Sequence, residues 1–582
     1  MSRRATNETD DCDEMSKRMR GVEEKEDGAE TGEAVNSRSL EEKNVVYFDM
    51  VNASLAELRV RVERVVVSKP PPFTRAASLL VLLTLLTLIP TLVGARNGTN
   101  VVLIVIDDCG FGDIGLSETQ KTNLPPGSSP LPTPFLSSLF NSPNSQRLNL
   151  RTSPQCTPTR ASLLTGVSAD ELGLSHYVLV NGQDLGIPED TRVIPEYLPS
   201  SYTSHLLGKW HVGHSRHSST PLSRGYTSFR GYYLGSTDFY LHDSSEVCCC
   251  NETCGPEREI KKFNNSYEDL QGDGVEVNNE TYATDYVTND AIRIIDEFKD
   301  SDEDLFLHIS FPATHSGPSG TPQYPPSSLN ETLNITSPLR AQFSAMLTNL
   351  DWNIKRIFES LETLDNTKII IVSDNGGESS NGASNYPLRG EKFTYFEGGI
   401  RTPCLLINFQ KVEERVSTVD DMLPTILDSL NVGYEEEKFT GTSLFRDVKE
   451  EYKVMVDPVY MCGVVFWGSF KGVFNGTCGY DVILGKEYMR GWVPPADSFN
   501  STPSLPTSYS PEMLFDLSQD ESESNDISTI NKDIMEKLRR VYRTRIKEAK
   551  ERDRWSSAKG GDLDTVTPKD GSIGPWINDK IC

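Results

Sequence analysis

Oxygen-bearing side chains follow two apolar runs of the chain, where together they could hold a metal ion. They are Asp107 and Asp108 after the first run, and Asp374 and Asn375 after the second. Two adjacent carboxylates repel each other unless a cation neutralises them. Carboxylate and amide oxygens suit a hard divalent ion, Ca²⁺ or Mg²⁺, better than they suit zinc. Either pair alone could instead form a turn or a helix cap, because Asp and Asn favour both.

A cysteine opens a predicted helix in the stretch SPQCTPTRASLLTG, residues 153–166. Pro158 fits the first helical turn, and Arg160–Leu164 can continue the helix. Cys156 would then lie at a helix N-terminus, where backbone amides favour an anion. A cysteine taken alone is more often structural or disulfide-bonded, but the Cys-x-Pro-x-Arg context favours a chemical role.

Further polar groups follow other apolar runs. Lys209 and His211 follow 202–207, and His315 follows 305–311. Taken singly, the histidines could be structural or solvated, and lysines such as Lys209 and Lys392 are ordinarily surface residues. Ligands of an open α/β sheet bind beyond the carboxyl ends of its strands, so we expect these groups to converge there.

The elements that must position these groups alternate along the chain, as in a layered α/β sheet. Strands are predicted at Val101–Ile106, Tyr202–Leu207, Leu305–Phe311, Ile369–Val372 and Cys404–Ile407. Helices are predicted at Ala283–Phe298 and Ala341–Leu361. From about residue 450 shorter β-like pieces, at Tyr452–Val456, Gly463–Phe466 and Asp481–Ile483, precede a charged helix at Ile530–Glu551. We therefore expect a catalytic domain over 97–450 and a smaller α+β subdomain over 451–582.

The quoted motifs make the chain resemble the type I sulfatases. The motif CTPTR at 156–160, with LTG at 164–166, is similar to the family signature. The other similar motifs are VIDDCGFGD at 105–113, GKWHVG at 208–213, DNGG at 374–377, and PLRGEK with EGGIR at 387–392 and 397–401. Within the family the likeness is greatest to the arylsulfatase B (N-acetylgalactosamine-4-sulfatase) branch, on GYYLGSTDFY at 231–240, LFDL at 514–517 and GPW at 574–576. Thr159 replaces the usual Ser, which leaves the Cys-x-Pro-x-Arg core intact.

The resemblance implies an alkaline-phosphatase-like fold, with a large mixed sheet between helices. It also implies hydrolysis of sulfate esters, on sulfated sugars or aryl sulfates, by a sulfuric ester hydrolase. In that family the cysteine, here Cys156, is oxidised by the formylglycine-generating enzyme to formylglycine (3-oxoalanine). One hydroxyl of its hydrate attacks sulfur, and the second expels sulfate from the resulting formylglycine-sulfate intermediate.

The resemblance also assigns roles to the remaining residues. One Ca²⁺, with Mg²⁺ as the less favoured alternative, would be held by Asp107, Asp108, Cys156, Asp374 and Asn375. Asp374 would also take the attacking proton. Arg160 would orient the hydrate, and Lys209 and Lys392 would bind sulfate oxygens. His211 would accept the second hydroxyl's proton, and His315 would bind substrate and protonate the leaving oxygen.

Two other functions compete with a sulfatase. A phosphate or phosphonate ester hydrolase of the same superfamily would need a Ser or Thr nucleophile and extra His ligands for two zinc ions, and Cys156 argues against it. A non-catalytic glycan-binding protein that keeps the fold would be favoured if Thr159 blocks the conversion. Nucleic acid is not an expected partner, because the formal net charge is −27 and phosphate contacts need a basic face.

The N-terminal region predicts a secretory route. Residues 1–75 are mostly polar and are expected to form a disordered cytosolic tail. The uncharged stretch 76–95 is long enough to span a bilayer as a signal anchor, and the basic residues before it would keep the N-terminus in the cytosol. It also fits a cleaved signal peptide. The protein would be a type II membrane protein in the first case, and secreted or lysosomal in the second.

Sequons and cysteines agree with that route. Asn-x-Ser/Thr sequons stand at Asn97, Asn251, Asn264, Asn279, Asn330, Asn334, Asn475 and Asn500. Their number favours N-glycosylation. Cys248, Cys249, Cys250 and Cys254 crowd one loop, and Cys462 and Cys478 bracket another. In an oxidising lumen, disulfides are favoured over zinc for these groups.

Overall fold

The predicted apolar runs form the strands of one mixed sheet. Its strands are β1 Asn100–Ile106, β2 Ser145–Arg147, β4 Tyr202–Lys209, β5 Ser228–Tyr232, β6 Asp304–Ser310, β7 Thr367–Ser373 and β8 Cys404–Ile407. Their order is β2-β8-β7-β1-β6-β4-β5. The five strands from β7 to β5 are parallel to their neighbours, and β8 and β2 are antiparallel additions at one edge. A short parallel pair, β3 Leu150–Arg151 with β9 Ser417–Thr418, lies beside it.

The computed structural model describes residues 98–114, 131–180, 183–242, 281–332, 335–448, 452–484, 489 and 510–555. All of them belong to a compact unit that starts at Arg96. The predicted tail 1–75 and the apolar stretch 76–95 lie outside the described residues. So do Cys248–Cys254, the motif at 574–576 and all predicted sequons except Asn330 and Asn475. Within the described ranges, no helix combines the length and apolar character needed to cross a membrane.

Helices cover both faces of the large sheet. They are α1 Pro134–Phe140, α2 Cys156–Thr165, α3 Ile194–Tyr197, α4 Ala283–Glu297, α5 Pro326–Leu329, α6 Pro338–Leu361, α7 Glu397–Ile400 and α8 Met422–Ser429. Strand β1 is buried along its whole length, so its alternate side chains enter two cores. Val101, Leu103 and Val105 pack with α2 and α8. The intervening residues of β1 pack with α4 and α6, which gives the helix-sheet-helix layers that the resemblance implied.

A smaller antiparallel sheet follows in the C-terminal part. Its strands are β10 Tyr452–Asp457, β11 Cys462–Trp467, β12 Phe470–Phe474 and β13 Glu512–Asp516, in that order. The long helix α10 Lys532–Arg552 covers one face, where the rings of Phe474 and Tyr542 stack 4.1 Å apart. The other face packs against Phe396 and Ile400. These two residues belong to the segment 387–401, which contains Lys392 and is called the lysine-bearing loop. The second sheet therefore supports a loop of the predicted catalytic centre.

Two predictions about this region have different outcomes. Cys462 and Cys478 form a disulfide, which confirms the preference for disulfides over zinc at that pair. The strand predicted at Asp481–Ile483 is wrong, because Tyr480–Ile483 forms a short helix, α9. Gly479 takes a left-handed conformation with φ 77° just before it, and the Thr477 hydroxyl donates to Asp481 at 2.8 Å. A short apolar run does not by itself distinguish a strand from a helical turn.

Buried charges join β12 of the second sheet to helix α7 and strand β3. The ammonium group of Lys471 on β12 lies 2.9 Å from Glu397 Oε1 and 2.7 Å from Glu523 Oε1, and all three side chains are fully buried. Glu397 also accepts a 2.6 Å bond from Arg151, and its backbone N–H donates to Glu523. Removing one member of such a cluster leaves the opposite charges buried without a counter-ion.

We expect Lys471→Met to lower the free energy of unfolding by about 3–5 kcal/mol, because buried Glu523 loses its cation and buried Glu397 is left with Arg151. Denaturant titration of the purified protein measures this change. The matched control is Lys438→Met, whose ammonium pairs with Glu435 at 2.9 Å on the exposed surface, and which should change stability by less than about 1 kcal/mol. Equal losses in the two variants would contradict a stabilising role for the buried cluster.

Candidate active site

The acidic side chains converge because β1 and β7 are parallel neighbours. Ile106 at the end of β1 is paired in register with Ser373 at the end of β7. The next residues, Asp107 and Asp374, therefore leave the same edge of the sheet. The backbone N–H of Asp108 donates to Asp374 Oδ1 at 3.1 Å, with Asp108 in a left-handed conformation at φ 59°. This turn directs both adjacent carboxylates into one centre.

Cys156 enters that centre from the first turn of α2. Its Sγ lies 3.7 Å from Asp107 Oδ1, and its side chain is 2% exposed. Ligand atoms of Asp107, Asp108, Asp374 and Cys156 all lie within 4.8 Å of one another. Burial raises the pKa of the Cys156 thiol, an effect that Lys209 opposes but does not overcome. An unmodified thiol here would stay protonated and would be a weak nucleophile.

Each carboxylate is paired with a buried cation, and Asp107 also lies 3.7 Å from Arg160 Nη2. Lys209 Nζ lies 2.7 Å from Asp107 Oδ2, and Lys392 Nζ lies 2.7 Å from Asp108 Oδ2. Arg160 donates from Nε and Nη2 to Asp374 Oδ2 at 3.0 and 2.8 Å. The remaining partners of Arg160 are the Ser310 hydroxyl and the Lys209 carbonyl. These bonds fix the guanidinium beside Cys156, one turn further along α2.

The ion pairs shift the pKa values of Asp374, Lys209 and Lys392 towards their charged forms, whereas burial and the nearby Asp374 raise the pKa of Asp107. Burial alone would raise the pKa of Asp374, but Arg160 and Lys209 outweigh it and hold that pKa below its usual range. Burial would lower the pKa of Lys392, but the attraction of Asp108 raises it well above the ordinary value. Both lysines therefore remain cations that can attract sulfate oxygens.

His211 is placed as a neutral base. It has a left-handed backbone with φ 59°, and its Nε2 lies 2.8 Å from the Leu179 carbonyl oxygen. That bond requires the proton on Nε2 and leaves the lone pair on Nδ1, which has no partner among the described residues. Burial, followed by Lys209, lowers the pKa of His211 well below its usual value. The His211 carbonyl accepts from Thr157, the residue after Cys156, at 2.9 Å.

His315 is the most exposed of the predicted catalytic side chains, at 19%. Its Nδ1 donates to the Ser316 carbonyl at 2.7 Å, and its Nε2 lies 3.6 Å from Asp108 Oδ2. Nε2 therefore lies beside the buried carboxylates on a side chain that solvent can reach, where it could give a proton to a leaving group.

The donor set fits a hard divalent cation. Three carboxylates and the amide of Asn375 meet in one buried place, and no histidine belongs to the group. Asn375 Oδ1 is buried and has no hydrogen-bond partner within the described part of the chain, while its Nδ2 donates to Asp108 Oδ1 at 2.6 Å. Amide orientation is assigned from hydrogen bonds. Rotating this amide by 180° would exchange Oδ1 and Nδ2. The oxygen would then face Asp108, as it must if both residues are ligands of one cation.

The structure brings one buried cluster together from Asp107, Asp108, Asp374, Asn375, Cys156, Arg160, Lys209 and Lys392, with His315 at its more exposed side. His211 is joined to this cluster through Thr157, the residue after Cys156. Sequence reasoning missed Ser310, which holds Arg160, and Thr157, whose hydroxyl links His211 to the backbone N–H of Leu179. A polar residue at the end of the buried strand β6 was the available signal for Ser310. Trp210 is 1% exposed and donates to the Gly213 and Ser219 carbonyls, as expected for a core residue.

Comparison with known proteins gives consistent matches. Residues 99–432 match the family model described as Sulfatase. The chain is 28% identical to arylsulfatase J of Mus musculus over 479 residues, which cover 76% of this chain and 74% of that protein. It is 26% identical to arylsulfatase A of Homo sapiens over 460 residues, covering 73% and 82%. It is 26% identical to N-acetylgalactosamine-6-sulfatase of Mus musculus over 383 residues, covering 61% and 66%.

Solved structures agree on the fold. The crystal structure of Ps i-CgsB in complex with k-i-k-neocarrahexaose superposes with a TM-score of 0.60 at 22% identity, covering 77% of this chain and 93% of that one. The PsFucS1 sulfatase from Pseudoalteromonas sp. gives a TM-score of 0.54 at 19% identity, covering 83% and 95%. At these identities the likeness supports the fold, which confirms the alkaline-phosphatase-like architecture.

Proposed function

Since the chain belongs to the sulfatase family and is a sulfuric ester hydrolase, we propose that it removes sulfate from sulfated glycans through formylglycine formed from Cys156. The observation that most directly supports this proposal is the position of Cys156. Its Sγ lies 3.7 Å from Asp107, in a group of three buried carboxylates that are each paired with a cation. The relatives' printed names include an N-acetylgalactosamine-6-sulfatase, and a structural neighbour is bound to a carrageenan-type oligosaccharide. Both support a sulfated sugar as substrate.

The proposed chemistry assigns a task to each side chain. A bound divalent cation, Ca²⁺ in this proposal, would be held by Asp107, Asp108, Asp374, Asn375 and the converted residue 156, and would neutralise charge on the sulfate. Arg160 orients the hydrate of residue 156, and one of its hydroxyls attacks sulfur while Asp374 takes the proton.

The remaining residues complete the cycle. Lys209 and Lys392 bind the sulfate oxygens, and His315 gives a proton to the departing sugar oxygen. His211 then takes the proton of the second hydroxyl, so the C–O bond to sulfate breaks and the aldehyde returns.

Mass spectrometry of the peptide that contains Cys156 tests the conversion. Formylglycine is about 18 Da lighter than cysteine, and we expect that mass in protein secreted from a eukaryotic host. An intact thiol in active protein would contradict the proposal, and it would also support the view that Thr159 impedes maturation. The partner that carries out the conversion would be a formylglycine-generating enzyme.

Removal of the cation should lower both activity and stability. We expect EGTA treatment to abolish hydrolysis of aryl sulfates and to lower the melting temperature, because the three carboxylates lose their shared counter-charge. Added Ca²⁺ should restore both measurements better than Mg²⁺, since Mg²⁺ demands a stricter octahedral geometry. Unchanged melting and activity after exhaustive chelation would argue against a resident cation.

The cellular route remains part of the proposal. The Cys462–Cys478 disulfide suits an oxidising compartment, and Asn330 is exposed, as a glycosylated residue must be. Asn475 is half-buried beside the Tyr460 carbonyl. We propose entry into the secretory pathway through 76–95, a catalytic domain over 97–450 and a C-terminal subdomain over 451–582. Placement in the arylsulfatase B branch stays a prediction.

A further inference from the structure

The surroundings of Lys392 have an aromatic side and a polar side. On the aromatic side, the ring of Tyr177 lies 6.4 Å from Phe393, 6.1 Å from Tyr480 and 6.2 Å from Trp555. Phe393 directly follows Lys392, so this cluster adjoins the proposed sulfate-binding lysine. A sugar has an apolar face and a hydroxyl-bearing edge, so an aromatic side facing a polar side suits it.

Glu378 is the charged group of the polar side. It directly follows Gly377, whose carbonyl accepts from the backbone N–H of Lys392 at 3.3 Å. Its carboxylate accepts from Asn381 Nδ2 at 3.2 Å, and the same amide nitrogen donates to Ser316 Oγ at 3.2 Å. Ser316 follows His315 and accepts from it. Backbone and side-chain bonds therefore place Glu378 between the loops of Lys392 and His315.

The carboxylate is held in place and remains in reach of solvent. Glu378 is partly exposed. Its Oε1 accepts from Ser380 at 2.8 Å and its Oε2 from Asn381. A ligand that enters beside Lys392 would therefore meet a fixed negative charge.

The charge of Glu378 opposes anions. Lys209, Arg160 and Lys392 already have carboxylate partners, so Glu378 adds a further negative charge at a centre that must accept a sulfate. Its field reaches the centre, because Glu378 is one of the groups that raise the pKa of Lys392. Such a charge repels a second anionic substituent on the substrate more than it repels a single sulfate monoester.

We propose that Glu378 is a specificity-determining residue. Its negative charge selects against sugars that carry a second sulfate or a carboxylate beside the scissile sulfate. The substrate class in this inference rests on the proposed function. The effect of the Glu378 charge on binding requires only that an anion binds at the centre.

The test uses the full secreted chain and three variants. Glu378→Gln removes the charge and keeps the shape, and Glu378→Asp keeps the charge. Glu359→Gln is the surface control, since Glu359 lies on the exposed side of α6, 3.7 Å from Lys355. The first measurement is the affinity for inorganic sulfate by calorimetry. The second is the ratio of kcat/KM for a disulfated N-acetylhexosamine to kcat/KM for its monosulfated counterpart.

We expect Glu378→Gln to bind sulfate about fivefold more tightly and to raise the ratio about fivefold or more, because a nearby like charge has been removed. Glu378→Asp and Glu359→Gln should match the wild type within about twofold. Equal sulfate affinity in wild type and Glu378→Gln overturns the inference, whether or not either protein is active. Loss of all hydrolysis by the wild type, with the affinity difference intact, would instead contradict the proposed function.

Discussion

Replacing Cys156 with alanine should reduce kcat/KM for every sulfate ester by about 10⁴-fold or more, because the nucleophile is lost while the binding groups remain. Cys156→Ser should behave differently. A serine can form the sulfate ester but has no second hydroxyl to expel sulfate, so we expect about one product per enzyme molecule followed by arrest. Rapid-quench kinetics with a chromogenic aryl sulfate measures both results.

A buried cysteine elsewhere supplies the matched control. Cys404 on β8 is free and 2% exposed, like Cys156, but it lies in the apolar core away from the carboxylates. Cys404→Ala should lose stability through the cavity that it leaves and should retain its turnover. An alanine at position 156 that hydrolyses aryl sulfates at the wild-type rate would refute the nucleophile assignment.

Replacing His315 with alanine should slow hydrolysis of sugar sulfates by about 10²- to 10⁴-fold, the usual contribution of a general acid. The loss should depend on the leaving group. A sugar hydroxyl is a poor leaving group and needs the proton that His315 Nε2 is placed to give. A nitrophenolate leaves without one, so nitrophenyl sulfate should lose less than about tenfold.

The comparison of the two substrate classes separates acid catalysis from structural damage. A misfolded site would lose both activities equally. The matched control is His205→Ala, since His205 is a partly buried histidine that bonds to Ser228 within the sheet. Equal losses on sugar and nitrophenyl sulfates in His315→Ala would exclude the general-acid role.

The sequence predicted the strands of the catalytic centre well, because short apolar runs rich in β-branched residues, such as Val101–Ile106, are typical of parallel strands buried on both faces. The polar residues after those runs then had to lie at one edge, and the structure places them there. Strand order could not be predicted, since β1 pairs with β6 and β7, both more than 200 residues later in the chain. Nothing local in β1 specifies those neighbours.

Residues that act only through another side chain could not be predicted from the sequence, for a different reason. Ser310 lies in no quoted motif, and Thr157 occupies one of the unspecified positions of Cys-x-Pro-x-Arg. Neither carries a charge, and they matter because they contact Arg160 and His211. The support of the lysine-bearing loop by β12 was equally invisible. It depends on Lys471 reaching Glu397, a contact between residues 74 positions apart.

That contact has a consequence for truncated products of the gene. A premature stop codon before β12 would delete Lys471, uncover Phe396 and leave Glu397 with Arg151 as its remaining counter-ion among these groups. The second sheet is thus needed to support the segment that carries Lys392. A chain shortened to before β12 would not give a minimal enzyme.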